Sequence, residues 1–203
     1  NLIKIKYSMS VENFIISNLE DQIKTINELK KSKEIIEKIY VEIKNAQKNS
    51  NKIFIMGNGG SASTSSHFVS DLLKTSLTKE ANRIKAISLT DNIPVVMAWA
   101  NDTSFENIFH SQLENFLEKG DLVIGISGSG NSKNVIKAIE FANSKEAKTV
   151  CLLGKDGGKL AKISQSNLII PNNDMLTIET MHLLICHLLT ALLRSEGTPL
   201  FSY

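Results

Sequence analysis

His67 and Asp71 lie four residues apart in Ser61 to Leu73, a stretch whose pattern predicts a helix, so both side chains leave one face. A second predicted helix, Asp174 to Arg194, is almost wholly apolar (MLTIETMHLLICHLLTALL) yet carries Glu179, His182 and His187. An acid and two imidazoles in such a helix are costly unless each finds a partner. Glu179 and His187 are two turns and about 80° apart, which leaves them on one face, whereas His182 is about 140° from His187. His182 is therefore read as a satisfied core histidine and His187 as functional. His67, Asp71, Glu179 and His187 could together form an acid–base pair or an N/O metal site of the zinc type, and spacing alone does not choose. His110, near Gln112 and Glu114, is read as a surface residue.

Two loops have the composition of anion sites. GNGGSAS, Gly57 to Ser63, follows the short β-branched run Lys52 to Met56, and its glycines let the backbone approach a ligand. GISGSGNS, Gly125 to Ser132, offers the hydroxyls of Ser127, Ser129 and Ser132 and the N–H groups around Gly128 and Gly130. Such a loop before a helix can encircle a phosphate without a cationic side chain. Alone, it could equally be a tight connection with an N-cap. It is neither a dinucleotide fingerprint nor a P-loop, because no Gly-Lys-Ser/Thr follows. A third turn, Gly154 to Gly158, reads as turn-forming first and a ligand contact second.

The elements that position these loops are legible. Lys52 to Met56, Ile84 to Leu89, Asp121 to Ser127, Thr149 to Leu153 and Asn167 to Ile170 read as five buried strands. Helical stretches at Ser61 to Leu73, Phe105 to Leu117, Asn131 to Asn143 and Asp174 to Arg194 alternate with them. Near-continuous apolar strands separated by helices predict an α/β, three-layer sandwich around a five-stranded parallel sheet. In such a sheet, ligands collect beyond the carboxyl ends of the strands. Upstream, Phe14, Ile15, Leu19, Ile23, Ile26 and Leu29, then Ile35, Ile36, Ile39, Tyr40 and Ile43, mark two amphipathic helices meeting near Lys31 to Lys33. Residues 1–50 are read as a helical segment for packing or oligomerisation and residues 51–203 as the α/β domain that carries the loops. The end, EGTPLFSY, reads as a loose tail.

Composition excludes other classes. With 23 Lys and Arg against 21 Asp and Glu, neither sign dominates, which argues against nucleic-acid or membrane-surface binding. Cys151 and Cys186 sit in apolar runs without a CxxC partner, as expected of a reduced cytoplasmic chain. No uninterrupted run of 18 apolar residues or signal-peptide pattern is present. The chain starts at Asn1, and Met9 is read as an alternative start.

In this arrangement the sequence resembles the sugar isomerase (SIS) family over roughly residues 10 to 195, and within it the phosphoheptose isomerase subgroup. The carrying stretches are GNGGSAS at Gly57, HF at His67, ND at Asn101, GDLVIGISGSGNSKNVIKAI at Gly120, GKDGGK at Gly154 and IETMHLLICH at Ile178. The resemblance implies a cytoplasmic isomerase interconverting sedoheptulose 7-phosphate and D-glycero-D-manno-heptose 7-phosphate. It also implies a homotetramer with active sites between subunits and one zinc ion per subunit. By the same resemblance Ser61, Ser127, Ser129 and Ser132 bind phosphate, and Asn58, Gly59, Asp102 and Glu179 contact substrate. Asp71 and His187 carry the proton chemistry, and His67, Asp71, Glu179 and His187 hold the metal.

Several positions depart from the family pattern. Asp71 stands for a glutamate, Glu179 for a glutamine, Gly128 for a threonine, Lys74-Thr75-Ser76 for Gly-Arg-Tyr, and Thr177 for an arginine. These changes spare the phosphate cup and alter the part that reads the sugar. Two rival readings follow: an isomerase of another phosphosugar, and a non-catalytic SIS module that binds a sugar phosphate or a protein.

Overall fold

A computed structural model describes residues 10–202; Asn1 to Met9, with the alternative start, and Tyr203 lie outside the described residues. The five strands are β1 (Lys52–Gly57), β2 (Lys85–Ser88), β3 (Leu122–Ser127), β4 (Lys148–Gly154) and β5 (Ser166–Ile170). They form one sheet in the order β2-β1-β3-β4-β5, and every pairing is parallel. The chain leaves β1 toward β2 on one side and β3 toward β4 on the other. The switch point therefore lies between the ends of β1 and β3, where the two glycine-rich loops emerge.

Alternation along the strands feeds two cores. Ile53 and Ile55 of β1, Ile124 of β3 and Leu152 of β4 pack with α2 (Lys33–Lys48), α3 (Gly60–Ser70) and α8 (Met175–Ser195). Phe54, Met56, Val123 and Leu153 point to the other face, against α5 (His110–Phe116), α6 (Lys133–Ser144) and the short α7 (Leu160–Ile163). The α/β three-layer sandwich expected from the sequence is the one observed.

α1 (Val11–Leu29) begins at Ser10, whose hydroxyl accepts from the Asn13 N–H at 3.1 Å, and a 3-10 turn at Lys30–Ser32 joins it to α2. α2 buries Ile36, Ile39 and Ile43 in the first core, but Phe14, Ile15, Leu19 and Ile23 of α1 stay exposed. α8 is long and apolar enough to cross a membrane by composition alone. Here it is a core helix, packed on α3 and the sheet through Ile178, Met181, Ile185 and Leu189.

Three expectations change, the first at the helix expected over Phe105 to Leu117, where a 3-10 turn at Phe105–Asn107 precedes the shorter α5. A helix unmarked in the sequence reading, α4 (Ile93–Asp102), follows β2; it is capped by Asn92, which accepts from the Val95 N–H, with Pro94 in its first turn. Its apolar residues run without helical periodicity, so only the cap and the proline signal it. The C-terminal segment is docked rather than loose. Pro199 forms an antiparallel bridge with Thr78, the Lys79 N–H donates to the Thr198 carbonyl at 2.9 Å, and the Leu200 N–H donates to the Leu77 carbonyl at 3.0 Å.

Candidate active site

The loop after β3 forms a hydroxyl cup. Ser132 occupies the N-cap position of α6, yet its side chain makes no capping bond. Its Oγ instead meets Ser127 Oγ at 3.0 Å, while Ser129 Oγ accepts from the Asn131 N–H at 3.2 Å. Ser132 thus spends its hydroxyl across the loop rather than on its own helix, and the hydroxyls face one another around the turn. Gly130 holds the loop at φ +64, and a Cβ there would lie 2.0 Å from the Gly157 carbonyl oxygen. The Gly154–Gly158 turn thus supports the cup from below; the Leu160 N–H also donates to the Gly130 carbonyl at 3.0 Å.

The loop after β1 is tied to this cup by a residue the sequence reading missed. Asn134, buried in the first turn of α6, exchanges amide hydrogen bonds with Asn58 at 2.9 and 2.8 Å. Asn134 Oδ1 accepts from the Val135 N–H as well. Asn58, expected to touch substrate, spends its side-chain amide on this pair. Ser61 is buried in the first turn of α3, and Gly59 is exposed at φ +56.

Farther along α3 and α8, three side chains converge. His67 Nε2 and His187 Nε2 are 3.1 Å apart, and Asp71 Oδ2 lies 3.6 Å from the first and 3.7 Å from the second. α3 and α8 run parallel, because Glu179 meets the start of α3 and His187 its end. Asp71 is nearly buried, while both imidazoles are about half exposed, so the group is open to solvent on one side. A pocket of about 400 Å³ adjoins it, lined by Asp71, Thr75, His187, Thr190, Ala191 and Arg194.

Glu179 does not complete this group within one chain. Its carboxylate packs on Gly60 at the N-terminus of α3, where a Cβ would lie 2.2 Å from Oε2. Eight residues separate it from His187, about 12 Å along the helix, so a shared face does not make a shared site. At Gly60 the carboxylate meets the positive end of a helix. Asp102 ends α4, exposed, and accepts from the Asn101 side chain at 2.8 Å, away from the His67–Asp71–His187 group.

The other two histidines and the two cysteines pack into the fold, and His182, expected to be satisfied, keeps a buried Nδ1 without a partner among the described residues. His182 is buried, and its Nε2 lies 3.0 Å from the Leu153 carbonyl; burial lowers its pKa to about 4, against the weaker opposing effect of that bond. His110 is half-buried with its ring edge-on to Phe141, more enclosed than a surface residue. Burial pushes the Cys151 thiol up to about 12 and raises that of Cys186 further, so both are inert.

The donor set suits a divalent metal. His67, Asp71 and His187 offer one ligand atom each, all within 4.8 Å of one another. Donors on a tetrahedral zinc with bonds of about 2.0–2.1 Å stand about 3.4 Å apart, close to the three separations here. Two imidazoles and a carboxylate also leave a position open, the pattern of catalytic sites.

A five-stranded parallel sheet with a hydroxyl cup at its switch point defines the class: the chain belongs to the SIS domain family, whose profile matches residues 17–154. The phosphoheptose isomerase of Aliarcobacter butzleri is 38% identical over 89% of this chain and 94% of its own. That of Helicobacter pylori strain 26695 is 47% identical over 70% of this chain and 73% of its own. The structure of the phosphoheptose isomerase from Neisseria gonorrhoeae superposes with a TM-score of 0.85 at 28% identity, covering 92% of this chain and all of that one. Within the SIS family the chain falls in the phosphoheptose isomerase group.

Proposed function

We propose that the protein is an aldose–ketose isomerase that interconverts sedoheptulose 7-phosphate and D-glycero-D-manno-heptose 7-phosphate in the cytoplasm. The observation that carries the reading is the convergence of Asp71 with His67 and His187 on two core helices. Titratable groups brought together beside a cleft are characteristic of functional sites. This also weighs against a non-catalytic module.

Asp71 acts as the base. Both of its contacts to the histidines use Oδ2, which leaves Oδ1 to take the proton from the carbon beside the carbonyl. The C–H electron pair becomes the enediol double bond, and the carbonyl oxygen gains a proton from His187. His187 then removes the proton of the neighbouring hydroxyl as Asp71 returns its proton to the former carbonyl carbon. Ser127, Ser129 and Ser132, with Ser61, hold the phosphate as a fixed anchor. His67, Asp71 and His187 would hold a zinc ion, which when bound would polarise the sugar oxygens; His187 would then face the metal with Nε2 and carry its proton on Nδ1.

Geometry also supports a site shared between copies. Met175 at the start of α8 lies against Gly128 of the cup, and His187 is twelve residues on, about 18 Å along the helix. Eight bonds of about 1.5 Å, the span from the first carbon to the phosphorus, do not reach that far. The cup of one chain therefore serves the His67–Asp71–His187 group of another, in a homo-oligomer of the tetrameric kind. The exposed stripe of α1 and the apolar groove between α1, α2 and α8 (Ile26, Tyr40, Leu184, Leu188) supply surface for it.

The test is complementation. Asp71→Asn should abolish isomerisation, and so should Ser127→Ala combined with Ser129→Ala. Mixing the two dead proteins after gentle dissociation should restore part of the wild-type turnover. Full activity of Asp71→Asn alone would overturn the assignment of the base, and no recovery on mixing would overturn the shared site.

A further inference from the structure

We infer that Arg194, with the C-terminal segment it holds, is a positioning residue that aims Asp71; this rests on the reading of Asp71 as the base. Asp71 does not end a regular α-helix. It opens a π turn, Asp71–Thr75, in which the Ser76 N–H reaches back five residues to the Asp71 carbonyl at 2.9 Å. Such turns are rare, occur mostly singly and often sit at functional sites. Their wider backbone gains from outside support, and here the support is visible.

Arg194 stands in the last turn of α8, seven residues beyond His187, and so on nearly the same face. Its Nη1 donates to the carbonyl of Thr75, the last residue of the π turn, at 3.2 Å, and its Nη2 donates to the carbonyl of Phe201. A guanidinium is a rigid planar fork, so it fixes the spacing of the two carbonyls it bridges. Phe201 is itself held in place. Its neighbour Leu200 donates to Leu77 at 3.0 Å, Thr198 is paired with Lys79 and Glu80, and the Lys74 ammonium sits 5.1 Å from the centre of the Phe201 ring.

Lys74 and Thr75, which close the π turn, are therefore both tied to Arg194 or Phe201. Arg194 also lines the same pocket as Asp71 and His187. One helix thus sets both members of the acid–base pair: His187 directly, and Asp71 through Arg194 and Thr75. That link matters because displacing a reacting group by about 1 Å can cost on the order of 100-fold in rate.

The experiment compares wild type, R194Q, R194K and K74A, with backbone hydrogen exchange at Ser76 measured alongside kcat and KM for sedoheptulose 7-phosphate. R194Q is expected to lower kcat by about 10- to 100-fold with KM changed by less than about threefold, because the guanidinium spends its bonds on the Thr75 and Phe201 carbonyls and acts on Asp71 through the turn. The Ser76 N–H should exchange faster in the same variant, since the bond it makes is the one the brace protects. R194K, which keeps the charge and loses the fork, should behave like R194Q. K74A, which removes the contact with the Phe201 ring, should move kcat and Ser76 exchange in the same direction and less far, and it covers the case in which R194Q does not fold. A raised KM with kcat intact would make Arg194 a substrate contact and overturn the inference, as would wild-type turnover in R194K or unchanged Ser76 exchange in R194Q. Faster Ser76 exchange in a protein whose wild type does not turn over the sugar would sustain the brace and overturn the isomerase reading instead.

Discussion

Asn58 and Asn134 hold each other by two side-chain hydrogen bonds, 2.9 and 2.8 Å long, across the switch point of the sheet. One belongs to the loop after β1 and the other to the helix after β3. Neighbouring loops there diverge toward opposite sides of the molecule, and nothing in the sheet ladder holds them together beyond the strand ends. The amide pair does so, and it fixes the distance between the cup serines and Ser61.

Asn134→Ala should therefore loosen the cup. Asn58 loses its partner and the Val135 N–H loses an acceptor. Leaving such buried groups unpaired costs about 1–3 kcal/mol. The expected result is a KM for sugar phosphate raised about tenfold, equivalent to about 1.4 kcal/mol, with a smaller change in kcat. Steady-state kinetics and a melting curve check it; an unchanged KM would mean that the pair serves stability alone.

Gly130→Ala should damage the same cup by another route. The position has φ +64 and its new methyl group would meet the Gly157 backbone oxygen at 2.0 Å. Backbone cannot swing aside as a side chain can, so loop and turn must separate at a cost on the order of 1–3 kcal/mol. Lower thermal stability together with loss of inorganic phosphate binding is expected by calorimetry. Gly60→Ala makes a useful contrast, since its obstacle is the end of the Glu179 side chain, which can rotate.

His182 predicts an acid dependence of stability. Its folded pKa of about 4 lies below the ordinary 6.5, so the unfolded chain binds the extra proton between these values. Its contribution is complete above pH 6.5 and is lost as the pH falls toward 4. A gap of that size corresponds to about 3 kcal/mol at the acidic end. Denaturant melts at pH 7 and pH 4 should show His182→Gln losing less stability than wild type over this interval. Equal losses would mean that other groups govern the acid limb.

Zinc binding can be read without turnover. Removing a ligand should weaken affinity by more than the 10- to 100-fold or so typical of outer-shell changes, so His67→Ala and His187→Ala should both fail to retain zinc through gel filtration. Glu179→Ala, which removes the oxygen donor altogether, should retain it, since one chain's His67, Asp71 and His187 supply three donors. Its loss of zinc would show that a neighbouring chain's Glu179 reaches the metal.

Much of this protein was readable from its sequence because the relevant physics is local. Five β-branched runs separated by helical periodicities define a parallel sheet, and the Gly-Ser loops fall at the ends of β1 and β3 as read. The i, i+4 spacing placed His67 and Asp71 together correctly, and the apolar surroundings of His182 marked it as a core residue. Other features depended on neighbours distant in sequence. Glu179 and His187 share a face of α8, yet the parallel packing of α3 sends one to Gly60 and the other to His67. Asn134 looks like any polar residue in the first turn of a helix until β1 and β3 are placed side by side. Arg194 and the docked C-terminal segment acquire meaning only once α8 lies against the π turn. Periodicity fixes the direction in which a side chain leaves its own element, whereas its partner is set by the packing of elements, and only the tertiary structure decides that.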